Sequence, residues 1–264
     1  MVSSQLHGAY VLSSQEFVYE PPPQAIAAQR ILIKPNLGYP VGPPVTVSMA
    51  VLRAVVDSLR RYNPRAEILI VEGVCSAIPM TEVARRNGLY DLLGPNIQVL
   101  DAETLPLAEY PNRFPHPVRF ESLLAPALLR EVDCRISVSA FKKTHLKGEP
   151  LISAALKNLY GLFPRRHYQA RSPKSRGQLH RPSVPLILQD IYGCVGHLFN
   201  GAVVDATLRY ISSDWQPDRV NAGIPLGKVI WGNDLLAVDR KACETSGEGI
   251  PSYISALEGS LNPT

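Results

Sequence analysis

The chain has 264 residues, 45% of them hydrophobic, enough to bury a real core, so disorder is excluded as the default reading. Its formal charge is only +4, and the positive charge is uneven. Seven of the 27 Lys and Arg fall between Pro150 and Gln189, a stretch with no Asp or Glu, while the other 20 face all 23 acids. That pattern excludes a generally sticky basic surface and points to a local positive field.

In chain order, the first expected strand is short, near Tyr10 to Leu12, and is followed by the proline run Pro21 to Pro23. Ile31-Leu32-Ile33 forms a strand that stops at Lys34-Pro35-Asn36, because proline has no N–H to offer a ladder. Thr46 is read as the N-cap of an amphipathic helix carrying Met49, Leu52, Val56 and Leu59 on one face and ending near Asn63-Pro64. Next come a strand over Glu67 to Val71, a helix over Thr81 to Leu93 and a strand over Ile97 to Leu100 that ends at Asp101. Further strands are expected at Arg135 to Ser139, Ala202 to Val204 and Lys228 to Trp231, with helices near Ile152 to Leu159, Val184 to Leu198 and Leu235 to Thr245. Strands alternating with helices of this length predict an α/β fold, a mainly parallel sheet flanked by helices, as one domain over residues 1–264. Two segments, Asp101 to Arg130 and Phe163 to Pro185, are excursions from that sheet, and the basic loop over 163–185 is long enough to act as a lid.

Cysteines at 75, 134, 194 and 243 form no C-x-x-C and are too widely spaced for an iron–sulfur or other metal motif; they read as reduced, mostly buried thiols. The opening residues lack a charged n-region and a long apolar run, and no stretch of 18 apolar residues occurs, so the expectation is a cytoplasmic protein with no membrane partner.

Ligands of open parallel sheets bind beyond the carboxyl ends of the strands, and polar residues gather at those ends: Lys34 and Asn36, Glu72 and Gly73, Asp101, Lys143 and His145, and Asp205. Lys143 and His145 are two apart, so an extended segment aims them the same way and offers a cation beside a titratable imidazole, a general acid or base with an electrostatic clamp. Lys157, among Leu156, Leu159 and Leu162, either snorkels to solvent or points into a cleft, where it would bind an anion or act as base or amine nucleophile. Asn158 would hold the same ligand. Lys34 and Asn36 either clamp an anion or mark a strand end; Asp205 and Asp239 either ligate a cation or, since no acids or histidines cluster at ligand spacing, serve the fold, Asp205 by pairing with a nearby lysine or capping a turn and Asp239 by a structural hydrogen bond. Arg165, Arg166 and the basic residues to Arg181, interleaved with Tyr160, Phe163 and Tyr168, are either a solvated lid or a surface for stacking single-stranded nucleic acid, the weaker reading because no RNA-binding motif accompanies them.

The blocks Ile31-Leu-Ile-Lys34-Pro35-Asn36-Leu37, Val138-Ser-Ala-Phe-Lys-Lys143-Thr144-His145, Ala155-Leu-Lys157-Asn158-Leu-Tyr-Gly161, Val203-Val-Asp205 and Ala237-Val-Asp239 resemble, in this order, the family called domain of unknown function 362. Many members of that family carry a ferredoxin-like iron–sulfur module, so the resemblance implies a link to redox chemistry; this chain has no such motif, and its cofactor stays open. It also departs from the family pattern after Asp205, where a glycine-rich G-x-G-P stretch is usual and Ile211 to Pro217 stands instead.

The sequence thus leads to an enzyme acting on a small anionic metabolite, carboxylate or phosphate, by proton transfer. It would be an isomerase, or a reductase supplied by an external redox partner. In this reading His145, Lys143 and Lys157 do the chemistry while Lys34, Asn36, Asn158, Asp205, Arg165 and Arg166 bind the substrate. The alternative is a non-catalytic protein that binds an anion or RNA through its basic loop.

Overall fold

The structure, a computed structural model, describes residues 8–75, 77–146, 149–213 and 223–261; the opening residues 1–7 and residues 214–217 of the divergent segment lie outside that set. Its strands are β1 (Ala9–Ser13), β2 (Arg30–Pro35), β3 (Glu67–Glu72), β4 (Ile97–Asp101), β5 (Leu107–Pro111), β6 (Ser122–Pro126), β7 (Cys134–Leu146), β8 (Glu149–Ser153), β9 (Gly201–Ile211) and β10 (Gly223–Gly232). The helices are α1 (Pro23–Ile26), α2 (Met49–Tyr62), α3 (Met80–Arg86), α4 (Leu128–Glu131), α5 (Ala155–Asn158), α6 (Arg165–Tyr168), α7 (Val184–Cys194), α8 (Leu235–Ser246) and α9 (Ser252–Leu261).

Eight of these strands form one mixed, mostly parallel sheet in the order β1-β10-β9-β7-β2-β3-β4, with β8 paired to β7. The five strands from β9 to β4 are parallel, and β10 and β1 add antiparallel at one side. Alternation along the strands makes the sheet two-faced. Ile31, Ile33, Ile68 and Ile70 pack with Leu52, Val55 and Leu59 of α2. Leu32, Leu69 and Val71 pack on the opposite face, in the core that holds α5, α7, α8 and α9. From β2 the chain moves through β3 to β4 on one side, whereas β7 leads to β9 on the other, so the carboxyl ends of β2 and β7 border the crevice where the connections diverge.

Several local expectations change. The N-cap of α2 is Ser48, whose hydroxyl accepts from the Val51 N–H; the Thr46 hydroxyl donates instead to the Val41 carbonyl at 2.7 Å. The helix expected over 81–93 breaks at Gly88, where the backbone takes a left-handed φ of 74°, and resumes as one 3₁₀ turn over Leu89–Leu92. The helix expected from Ile152 begins only at Ala155. The apolar Leu151 and Ile152 are used instead in β8, which pairs with the second half of β7, and that strand runs well past Ser139 for the same reason. The excursion after β4 contains the β5–β6 hairpin, a separate small sheet. Residues 163–185 are no open loop: α6 and a 3₁₀ turn at Gly177–His180 fold them down, with Phe163, Tyr168 and Leu179 buried in the core. Among the described residues no helix is long and apolar enough to cross a membrane.

Removing the cap of α2 with Ser48→Ala should lower unfolding stability by about 1 kcal/mol, measured by urea denaturation with an unchanged m-value.

Candidate active site

At the crevice the sheet carries a cavity of about 330 Å³ whose floor comes from the ends of β2, β3 and β7 and whose roof comes from residues 174–176 and His180. Its deepest element is a buried ion pair. Lys34, 1% exposed, reaches Glu72 Oε1 at 2.7 Å. The same ammonium donates to the Pro35 carbonyl at 2.7 Å and to Asn158 Oδ1 at 3.3 Å, so its three hydrogens all have acceptors. Glu72 accepts in turn from the backbone N–H groups of Gly73 and Leu37. Asn158 returns its amide to the Lys34 carbonyl at 2.8 Å and to Ser137 Oγ at 3.1 Å. Burial pulls the Lys34 pKa down and Glu72 opposes that pull. With every donor engaged, Lys34 and Asn158 form a structural floor.

Gly161 closes over this floor. A Cβ there would lie 2.2 Å from Glu72 Oε1 and 2.7 Å from Lys34 Nζ, so only glycine lets the chain pass so near the pair. The short α5 that precedes it has no side-chain cap of its own; buried Asp239 of α8 accepts from the Ala155 and Leu156 N–H groups at 2.6 and 3.1 Å and from the Tyr253 hydroxyl at 2.9 Å. Asp239 therefore holds the start of the segment that carries Lys157 and Asn158.

Two further lysines form the walls. Lys142, on the same side of β7 as Thr144, donates to Asn36 Oδ1 and to the Val45 carbonyl at 2.7 Å. Burial, reinforced by Lys157, brings its pKa down to about 7. Lys157 stands with its ammonium 3.4 Å from the centroid of the Tyr160 ring, and burial, with Arg176 and Lys34 adding to it, brings its pKa down to about 8. His180, also on the cavity wall, sets Nδ1 3.0 Å from the Arg176 carbonyl, which fixes the proton on Nδ1; burial and Lys157 push its pKa down to about 4, so the ring stays neutral. The roof is pinned by Arg176, 4% exposed, which pairs with Glu103 at 2.8 Å and donates to the Gly73 and Phe163 carbonyls.

Of the residues singled out from sequence, Lys34, Asn36, His145, Lys157 and Asn158 meet at this cavity. Lys143 does not. Along β7 it falls on the same side as the core residue Phe141, and its ammonium pairs with Glu248 at 2.5 Å beside a second cavity. His145 reaches the cavity rim with Nδ1 3.3 Å from the Ser212 carbonyl. Asp205 is buried and accepts from the Ser48 and Thr207 N–H groups, bracing the start of α2. Arg165 pairs with Glu103 at 3.0 Å outside the cavity, and Arg166 is exposed. The aromatics of the basic segment are equally committed: Tyr160 donates to the Leu179 carbonyl, Tyr168 to the Leu124 carbonyl, and Phe163 is in the core. Lys142, Cys75 and His180 entered the site unannounced, while Arg176, read from sequence as part of the basic loop, lines it. Strand alternation sets 142 opposite 143, but the packing of Phe141 decides which of the two meets the cavity.

Residues 31–244 match the family described as "Domain of unknown function (DUF362)". The chain belongs to the DUF362 family. No curated protein sequence matches it. Among solved structures, this DUF362 protein is similar to the lactate racemase apoprotein from Thermoanaerobacterium thermosaccharolyticum, with a TM-score of 0.51 and 14% sequence identity. The match covers 84% of this chain and 49% of that one, so the DUF362 chain spans about half the length of that structure, and at this identity the likeness is one of fold alone. Among the described residues of the DUF362 protein, no group of three or more His, Cys, Asp or Glu side chains could hold a metal ion.

Gly161→Ala should lower stability by about 2 kcal/mol or more through overpacking against the Lys34–Glu72 pair, read by thermal or urea unfolding. An anion bound in this cavity would favour the protonated forms of Lys142 and Lys157, so its binding would raise their lowered pKa values and take up protons above pH 7. Calorimetry at pH 8 in buffers of different ionisation enthalpy should show net proton uptake that shrinks toward zero at pH 6, and affinity should fall as pH rises through 7 and 8.

Proposed function

We propose that this protein is an enzyme that binds a small carboxylate or phosphate anion in the crevice beyond β2 and β7 and moves a proton on it, as an isomerase does. One observation carries the reading: two lysines with lowered pKa values, Lys142 and Lys157, face a single cavity. Perturbed titratable groups converging on a concave site are the physical signature of a candidate functional site. Lys157, at the open wall, supplies the anchoring charge, and Asn36 orients the bound group. Lys142 titrates near neutrality, where a proton carrier works best, and it alternates between ammonium and amine. His145 stands at the rim as the second group able to exchange a proton. A fold shared with a lactate racemase supports a small hydroxy acid as one candidate substrate. Reductive chemistry on the same anion would draw its electrons from an external partner.

The small-anion reading is preferred to RNA binding because Tyr160, Phe163 and Tyr168 are buried and cannot stack on bases. It is tested by thermal shift and calorimetry with inorganic phosphate, phosphorylated metabolites, lactate, malate and a short RNA at two salt concentrations. At least one small anion should bind with little salt dependence. Its affinity should drop about 10- to 100-fold in Lys157→Met, the worth of one charge-assisted hydrogen bond. Bound acids should then exchange carbon-bound hydrogen in D₂O, read by proton NMR, and lose that exchange in Lys142→Met. If no small anion binds, or if only RNA binds and salt erases it, the proposal fails.

A further inference from the structure

His180 lines the same cavity as Lys157, and its hydrogen bonding is half complete. Nδ1 lies 3.0 Å from the Arg176 carbonyl, which can only accept, so Nδ1 carries the proton and Nε2 presents a bare lone pair. Burial and the charge of Lys157 hold the ring in this neutral form. Among the described residues Nε2 makes no hydrogen bond, and the polar side-chain atoms sealed in protein without a partner are those of Tyr19, Arg209 and Ser246. The lone pair of His180 therefore opens into the cavity that its ring lines. Lys157 shows the complementary condition: its ammonium stands over the Tyr160 ring, 3.4 Å from the centroid, and among the described residues no oxygen accepts from it. Tyr160 holds the two groups together. Its face carries Lys157, the His180 ring meets it at 75° with centroids 5.5 Å apart, and its hydroxyl is pinned to the Leu179 carbonyl at 2.6 Å.

We propose that Lys157 and His180 together select an anion that carries a hydroxyl beside its acid group, Lys157 holding the carboxylate or phosphate and His180 Nε2 accepting the hydroxyl hydrogen. The inference rests on the small-anion reading above and names the substrate class within it. A cation with no acceptor and a lone pair with no donor, set around one ring, are both satisfied by a hydroxy acid or a hydroxylated phosphate ester. The same anion without the hydroxyl would desolvate Nε2 and leave it unpaired, which is how a site built on hydrogen bonds rejects a lacking analogue. An ammonium would also donate to Nε2, but it would enter among Lys142, Lys157 and Arg176, so like charge turns amino acids away. His180 is thus a specificity residue.

The test is calorimetric binding of matched anions to the full chain: lactate against propionate, malate against succinate, glycerol phosphate against propyl phosphate, with alanine as the ammonium-bearing counterpart of lactate. In each pair that binds, the hydroxylated member should bind about tenfold tighter or more, the size of one hydrogen bond to a group otherwise left unpaired. Alanine should bind more weakly than lactate. His180→Phe, which keeps a ring against Tyr160, should bring the ratio toward one, and His180→Gln, whose amide oxygen accepts, should retain part of it. Lys157→Met should weaken both members alike and leave the ratio in place. In long-range proton–nitrogen spectra of the native protein, the His180 Nε2 signal, assigned by its loss in His180→Phe, should move with a hydroxylated anion and stay with its partner. Anions that bind with a ratio near one, or an Nε2 signal that does not move, overturn this inference and leave the proposed function standing; binding by none of these anions overturns both.

Discussion

The rest of the site depends on the buried Lys34–Glu72 ion pair. Two charges taken fully out of water are costly unless each finds hydrogen-bonding partners, and here each does: Lys34 through Pro35 and Asn158, Glu72 through Gly73 and Leu37. The pair joins the ends of β2 and β3 to α5, so the three segments that border the cavity share one polar knot. Gly161 is required because nothing larger passes the knot, and Asp239 is required because α5 would otherwise begin with unpaired N–H groups. Removing one partner would strand the other charge in a dry interior, so the pair acts as scaffold for the crevice.

Around the knot the electrostatics are graded by depth. Lys34 has a carboxylate partner, Lys142 donates to an amide oxygen and a carbonyl, and Lys157 rests on an aromatic face. Burial brings the pKa values of Lys142 and Lys157 down to about 7 and about 8. The roof repeats the theme, with Arg176 tied to Glu103 by one nitrogen and turned toward Cys75 by another. A segment rich in positive charge thus ends as a fitted cover whose most important arginine is buried, and its exposed basic residues contribute field at longer range.

Much of this was readable from local pattern. The Ile-Leu-Ile runs ended by polar residues specify buried parallel strands, since side chains packed on both faces leave no polar alternation, and the helical spacing after Val47 specifies α2. That Lys34, Asn36, Lys157 and Asn158 would meet at one crevice was legible because they sit at strand or helix ends, where topology alone brings them together. Lys143 was misplaced for a local reason: spacing shows that residues two apart share a face but not which face, and the packing of Phe141 decides that. Ile152 and Ser153, the end of β8, were read as the start of a helix because a short apolar run suits either state, and pairing with the extended β7 settles it.

What the sequence determined by itself was the α/β class, the local positive field and the set of strand ends at which a ligand could sit, because strand periodicity, proline stops and charge distribution act over a few residues. Only the tertiary structure decided which lysines face the cavity, that Lys34 pairs with Glu72, that Lys157 rests on the Tyr160 ring, and that Arg176 reaches Cys75. Those outcomes depend on contacts between residues roughly a hundred positions apart, such as Lys34 with Asn158 and Arg176 with Cys75, and on burial, which sets how strongly a charge is disfavoured and is a property of the packed chain rather than of any segment.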